Sequence, residues 1–352
     1  MKQLKSSTLC ILLSAIIFLP GCRYKVTEVM AVTGATPLAL QEPVPSGISL
    51  KITGMTKKEY DLSSYTLNKF ATTRVRTREV SPVGEFEGAY VYTGIPLYNI
   101  LEGVSPKKPK TAAFDSPLDM VVIFHSASGA TARFSYCELI MTDDRHPFTL
   151  AFHRRQILPH KDPEKYTKNR YKENIQGLRL ICPRDPDTSR YLDDVTKITF
   201  TVLKTPDDKL PVTKKGMKCV SEGITIINGG KSASALFGDV ARSKKSDWVR
   251  IGHGQGFKGI SKAEGYSLRS FLKKNFKGCG PENFFLFVAC DGYRTLFSGR
   301  EIFLSDDGAS YMIIDTLDGK AATGKYMLAP VDDYFVDRDV WGLTHVVMLD
   351  VK

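Results

Sequence analysis

Few patterns that announce a reaction occur in this chain. No Cys-x-x-Cys pair is present, which sets aside a zinc ribbon, a thioredoxin-like redox pair and c-type haem attachment. No Gly-x-Ser-x-Gly elbow occurs, and no Ser/His/Asp arrangement stands out by spacing. The glycine-rich stretch Gly252-His253-Gly254-Gln255-Gly256 lacks the Lys-Ser/Thr of a phosphate loop and the six-residue dinucleotide pattern. His146, His153 and His160 are regularly spaced, but Pro147 and Pro159 interrupt any helix that would align them, so no metal site is expected. No nucleic-acid motif appears, and nucleic acid is not an expected partner. Nowhere does an apolar run approach the ~20 residues of a membrane-spanning helix.

What is present begins with an address. Lys2 and Lys5 precede a short apolar run from Thr8 to Leu19. The sequence Leu19-Pro20-Gly21-Cys22 that follows resembles the lipobox of bacterial lipoproteins. That resemblance implies a signal peptide over residues 1–21, acylation of Cys22 (palmitate among the chains), and a membrane anchor in the cell envelope facing the periplasm or exterior. Arg23, standing where Asp would retain the protein inside, favours the outer membrane of a Gram-negative cell. Residues 22–45, with Pro37, Pro43 and Pro45, read as a tether. Removal of residues 1–21 takes away two lysines and no acids, lowering the net charge from +11 to +9. That balance favours an anionic ligand or an acidic protein partner.

Hydrophobic content of 42% with 25% charged residues is that of a folded chain, and the length suits two domains. After Cys22 come Cys137, Cys182, Cys219, Cys279 and Cys290, an odd number. Cys290 ends an apolar run and reads as a small buried residue, which leaves Cys219 and Cys279 as the candidate disulfide pair.

Three echoes organise the rest. Gly129 and Gly292 each precede a Phe-Ser pair by five residues and a Glu by nine, giving Phe134-Ser135 with Glu138 and Phe297-Ser298 with Glu301. Upstream, Gly94 is followed by Leu97, Ile100 and Leu101, and Gly265 by Leu268, Phe271 and Leu272, each a one-sided helical stripe. Downstream, Gly177 to Pro183 leads through Asp185 and Arg190 to a final strand. Gly324 to Pro330 does the same through Asp332 and Arg338. Repeats of this kind point to one supersecondary unit used twice. They divide the chain into residues 46–203 and 219–352, joined by a polar linker over 204–218. The first copy carries a basic, histidine-bearing insertion between Arg145 and Gly177 that serves either binding or solvation.

Taken together, the echoes resemble the molybdopterin-binding domain of the sulfite oxidase family. Tyr92 to Leu97 matches its Tyr-x-Gly-x-x-Leu helix start, Asp291-Gly292-Tyr293 its Asp-Gly-Tyr segment, and Gly177 to Pro183 its Gly-x-Arg-Leu-x-x-Pro strand. The resemblance implies an α+β fold of two tandem molybdopterin-domain-like modules, with mixed sheets and short helices. It also implies a cysteine before the helix start to hold molybdenum. The corresponding stretches, Ala71 to Arg76 and Asp247 to His253, contain none. Thr or Ser does not replace a soft thiolate. The expectation is therefore an envelope-anchored binding or accessory protein without a cofactor; the other class left open is a molybdopterin-dependent oxidoreductase with an atypical metal site.

Candidate binding residues follow from local pattern. Arg74, Arg76 and Arg78 alternate and share one face of a strand, either holding an anion or simply solvated. Asp291, Tyr293 and Arg294 follow a buried strand and line a pocket or form a turn. His125, Arg184 and Arg338 complete the set.

Overall fold

The computed structural model describes residues 43–142, 147–159, 161, 175–211, 220–252 and 256–350. The lipobox with Cys22, tether residues 22–42, His146, His160, most of the basic insertion, Cys219, residues 212–218 and His253 lie outside the described residues.

Alternation of apolar and polar residues sets most of the strands. In β1 (Ser49–Gly54) Leu50 and Ile52 are buried while Ser49 and Lys51 are exposed. The first half continues with β2 (Tyr60–Ser63), α1 (Ser64–Leu67), β3 (Thr73–Val80), β4 (Phe86–Pro96), α2 (Leu97–Leu101), β5 (Met120–Ser126), β6 (Thr131–Ser135), α3 (Tyr136–Ile140), β7 (Thr149–Gln156), β8 (Arg179–Ile181) and β9 (Val195–Val202). The second half holds β10 (Thr225–Asn228), β11 (Lys231–Ser234), β12 (Arg242–Gly252), β13 (Gly256–Ser267), α4 (Leu268–Asn275), β14 (Asn283–Ala289), β15 (Arg294–Ser298), α5 (Gly299–Phe303), β16 (Met312–Leu317), β17 (Lys320–Ala321), β18 (Met327–Ala329), β19 (Val340–Trp341) and β20 (Leu343–Asp350).

The sheets of the two halves correspond. One has the order β2-β1-β9-β5-β6 and another β11-β10-β20-β14-β15. In each, the first and last strands of the half pair in parallel, β1 with β9 and β10 with β20, and every other pairing is antiparallel. The remaining sheets, β3-β4-β7-β8 and β12-β13-β16-β18-β19, also follow one path; the second has two extra strands, β19 at its end and β17 paired with β16.

The α+β arrangement expected from the family resemblance is not what forms. Strand accounts for 46% of the described residues and helix for 14%, and the four curled sheets are arranged like a four-bladed propeller. The physical reason lies in the apolar stripes after Gly94 and Gly265. Each is satisfied by one or two helical turns, five residues in α2 and eight in α4, before the chain returns to strand. Elsewhere the apolar runs are rich in β-branched and aromatic residues. Those of β14, for example, are buried on both faces of the sheet.

The halves are held together by apolar packing. Val121 and Ile123 of β5 meet Leu286, Val288, Val347 and Leu349 of β14 and β20. Leu210, within the stretch expected to be a polar linker, is buried in that same layer. Each half also has its own core, with Phe124, Phe134 and Phe148 in contact in the first and Phe287, Phe297 and Tyr311 in the second.

Two glycines of the echoes have a packing cause. A Cβ on Gly94 would lie 2.4 Å from the carbonyl oxygen of Leu150, and one on Gly265 would lie 2.1 Å from that of Ile313. At both places the neighbouring strand passes too close for any side chain.

The cysteines correct the disulfide expectation. Cys279 is a free thiol, so it does not pair with Cys219, whereas Cys290 is disulfide-bonded and not a simple buried residue.

Candidate anion-binding site

Strand β3 places its arginines by alternation. Val75, Thr77 and Glu79 are buried, and Arg74, Arg76 and Arg78 are exposed on the other face. The register carries that outward face across the sheet. Arg76 stands opposite Val91 and Val91 opposite Arg155, while Arg74 stands opposite Thr93 and Thr93 opposite His153. Directly opposed residues share a face, so β4 offers Ala89, Val91 and Thr93 as a low floor between long cationic side chains. Arg76, Arg78 and Arg155 have no ionic partner among the described residues.

The inward face fixes this sheet. Glu79 accepts hydrogen bonds from the Tyr92 hydroxyl at 2.6 Å, the Thr77 hydroxyl at 3.1 Å and Arg179 at 3.4 Å. Burial raises the Glu79 carboxyl above its ordinary value, and the Tyr92 hydrogen bond and Arg179 oppose that shift.

Arg76 and Arg78 also line a cleft of about 730 Å³. Its other walls are the turn at Pro183, Arg184 and Asp185 and the segment from Ser305 to Asp307 in the second half. Arg184 pairs with Asp307 at 2.7 Å, so the cleft straddles both halves. Two arginines singled out in the sequence, Arg76 and Arg184, thus come together here, with Arg74 on the adjoining face.

Asp185 belongs to a buried network that the sequence echoes only hinted at. It binds Arg190 at 2.6 Å, and Arg190 binds Glu138 at 2.7 Å while lying over the Phe134 ring at 4.2 Å. The second half repeats this arrangement. Arg338 binds Asp333 at 2.7 Å and Glu301 at close range, and lies over Phe297 at 4.4 Å. The two networks interlock. Ser298 donates to Glu138 at 2.8 Å, and Ser135 donates to Glu301 at 3.4 Å. Each serine also accepts the backbone N–H of the glutamate in its own half at 3.0 Å, capping α3 and α5. Arg338, expected as a ligand residue, is therefore wholly buried and held by protein carboxylates. The aspartate it binds is Asp333; Asp332, which the spacing indicated, pairs with Lys245 at 3.1 Å.

The remaining candidates lie elsewhere. His125, on β5, shares a hydrogen bond with the Thr199 hydroxyl at 3.0 Å; burial, then Lys197 and Arg133, lower its pKa. The Asp291 segment is a turn in which Gly292 has φ +83° and the Asp291 carboxylate accepts the N–H of Tyr293 at 3.0 Å. Tyr293 donates to the carbonyl of Asp337 and packs edge-on against Phe114, with ring centres 5.6 Å apart. Arg294 points away from the first cleft, toward Asp207 at 2.8 Å, and lines a second, smaller cavity.

A molybdenum ligand is not offered by the thiols near these sites. Cys137 and Cys182 are fully buried, burial raises both thiols, and they face the carbonyls of Leu118 and Arg190. Neither lines the cleft. Among the described residues no group of three or more His, Cys, Asp or Glu is placed to hold a metal ion.

Two of three comparisons with known proteins find no match for this chain. No known family matches it, and no curated protein does. Among solved structures, the sulfane dehydrogenase SoxCD from Paracoccus pantotrophus aligns with 71% of this chain at 16% identity and a TM-score of 0.31. The alignment spans 58% of that chain's own length. A likeness so distant leaves function to be argued from the residues themselves.

Proposed function

We propose that this chain is an anion-binding protein of the cell envelope, carried on a lipid at Cys22, and that it works by capture and not by turnover. The basic face of β3, β4 and β7 and the adjoining cleft take the ligand. The observation that carries this reading is the set Arg76, Arg78 and Arg155, exposed on one rigid sheet face without carboxylate partners among the described residues. Alternate residues of a strand stand ~6.8 Å apart. Such a row suits a ligand with repeated negative groups, a sulfated, phosphorylated or uronic glycan. Arg184 then supplies a further guanidinium at the cleft wall, partly neutralised by Asp307.

Charge-assisted hydrogen bonds of this type are worth ~1.5–3 kcal/mol each. Substituting Arg76→Ala and Arg78→Ala together should weaken binding of a sulfated hexasaccharide at least about tenfold in titration calorimetry. Both side chains are exposed, so thermal stability should hold. Affinity should also fall steeply with added salt. Unchanged affinity in the double variant, or affinity indifferent to salt, would remove the reading.

A further inference from the structure

The second cavity, of about 280 Å³, opens where the chain crosses from one half to the other. Its walls differ in character from those of the basic cleft. Leu286, Leu296 and Leu349 form one apolar side, drawn from the layer that joins the halves. The opposite side presents Lys108 and Arg294, and the side chain of each is only 3% exposed. We propose that this cavity binds an amphipathic monoanion, a carboxylate carrying an aliphatic chain of several carbons.

Two buried cations side by side are the reason. Lys108 binds Asp119 and donates to the carbonyl of Phe114 at 3.0 Å, lying 5.1 Å over the Phe114 ring. Arg294 reaches the same ring from 6.0 Å. Its Nη1 binds Asp207 at 2.8 Å and its Nε faces the carbonyl of Gly292 at 3.5 Å, while Nη2 has no partner among the described residues. Asp207 is itself half exposed, so it neutralises Arg294 incompletely. Burial, opposed mainly by Asp119, lowers the pKa of Lys108, and Arg294 lowers it further. A ligand carboxylate bridging Arg294 Nη2 and the Lys108 ammonium joins Asp119 and Asp207, which line the same cavity, and the leucines receive the hydrocarbon. The volume lies just below the ~300–1,000 Å³ typical of sites for drug-sized ligands, which restricts the tail to a medium chain.

The test uses residues 42–352, which form one compact unit containing every apolar cluster from Val44 to Leu349. Titration calorimetry compares sodium octanoate, hexanoate and acetate with 1-octanol. Octanoate should bind, with about fourfold loss per methylene removed, ~0.8 kcal/mol each. Octanol, lacking the charge, should bind at least tenfold more weakly. Arg294→Ala should weaken octanoate at least tenfold. Ala112→Trp, at a half-buried lining position away from the ion pairs, should abolish binding by filling the space while the protein stays folded by circular dichroism. Silence with octanoate, equal affinity for octanol, or undiminished binding in a folded Ala112→Trp variant would each overturn the assignment.

Discussion

Arg190 and Arg338 show how much of this protein is settled by single side chains. Both are buried guanidiniums shared between two carboxylates and laid over a phenylalanine ring. Breaking such a pair from one side is costly because the other charges stay behind in a low-dielectric interior. Arg338→Ala should therefore lower stability by ~3–5 kcal/mol in urea unfolding. Adding Glu301→Gln and Asp333→Asn should recover part of that loss. No recovery would mean that packing over Phe297, and not charge, is what Arg338 contributes. The arginines themselves were legible in the sequence as members of an echo, but their burial was not. Counting from the preceding proline led to Asp332, whereas the spacing that matters runs back five residues from each arginine, to Asp185 and Asp333. Two adjacent aspartates look alike in a sequence. Only the fork geometry of the guanidinium separates them.

At the scale of elements, period-two alternation in β1 and β3 was readable. The fold class was misread because a stripe at i, i+3 and i+4 occupies a single turn as readily as a long helix. Here α2 stops after five residues at Glu102 and Gly103. The glycines preceding these helices carry information of a different sort. Their role is to let β7 and β16 pass close, and it depends on a backbone distance that no pattern records. Gly265→Ala, with the carbonyl of Ile313 only 2.1 Å from the new Cβ, should cost ~1–3 kcal/mol and lower the melting temperature. An alanine variant as stable as the parent would show that β16 can shift without loss.

For the whole molecule, buried carboxylates set the response to pH. Burial raises the carboxyls of Glu79, Asp119, Asp333 and Asp339, and raises Glu301 to about 7 even beside Arg338. In the unfolded chain such groups ionise near ~3.9–4.3. Between those values and about 7 the folded protein holds more protons than the unfolded chain, so this contribution is complete at the acidic end and is lost as pH rises. Unfolding free energies from urea titrations should fall from pH 5 to pH 7, by at most ~1.4 kcal/mol per pH unit for each group concerned. Glu301→Gln should flatten part of the slope. A free energy that rises across this range would contradict the assignment. None of this could be read from residue types, because a glutamate in a strand-to-helix turn is ordinarily solvated. It is the meeting of two halves that removes the water.

The crossed bonds between Ser135 and Glu301 and between Ser298 and Glu138 have a consequence for mutation. Each serine caps a helix in its own half and answers a glutamate in the other. A mutation in one half is therefore felt at a residue encoded more than 150 positions away. Substitutions at these four residues should therefore be energetically coupled across the halves. A change in one half is best tolerated with a matching change in the other.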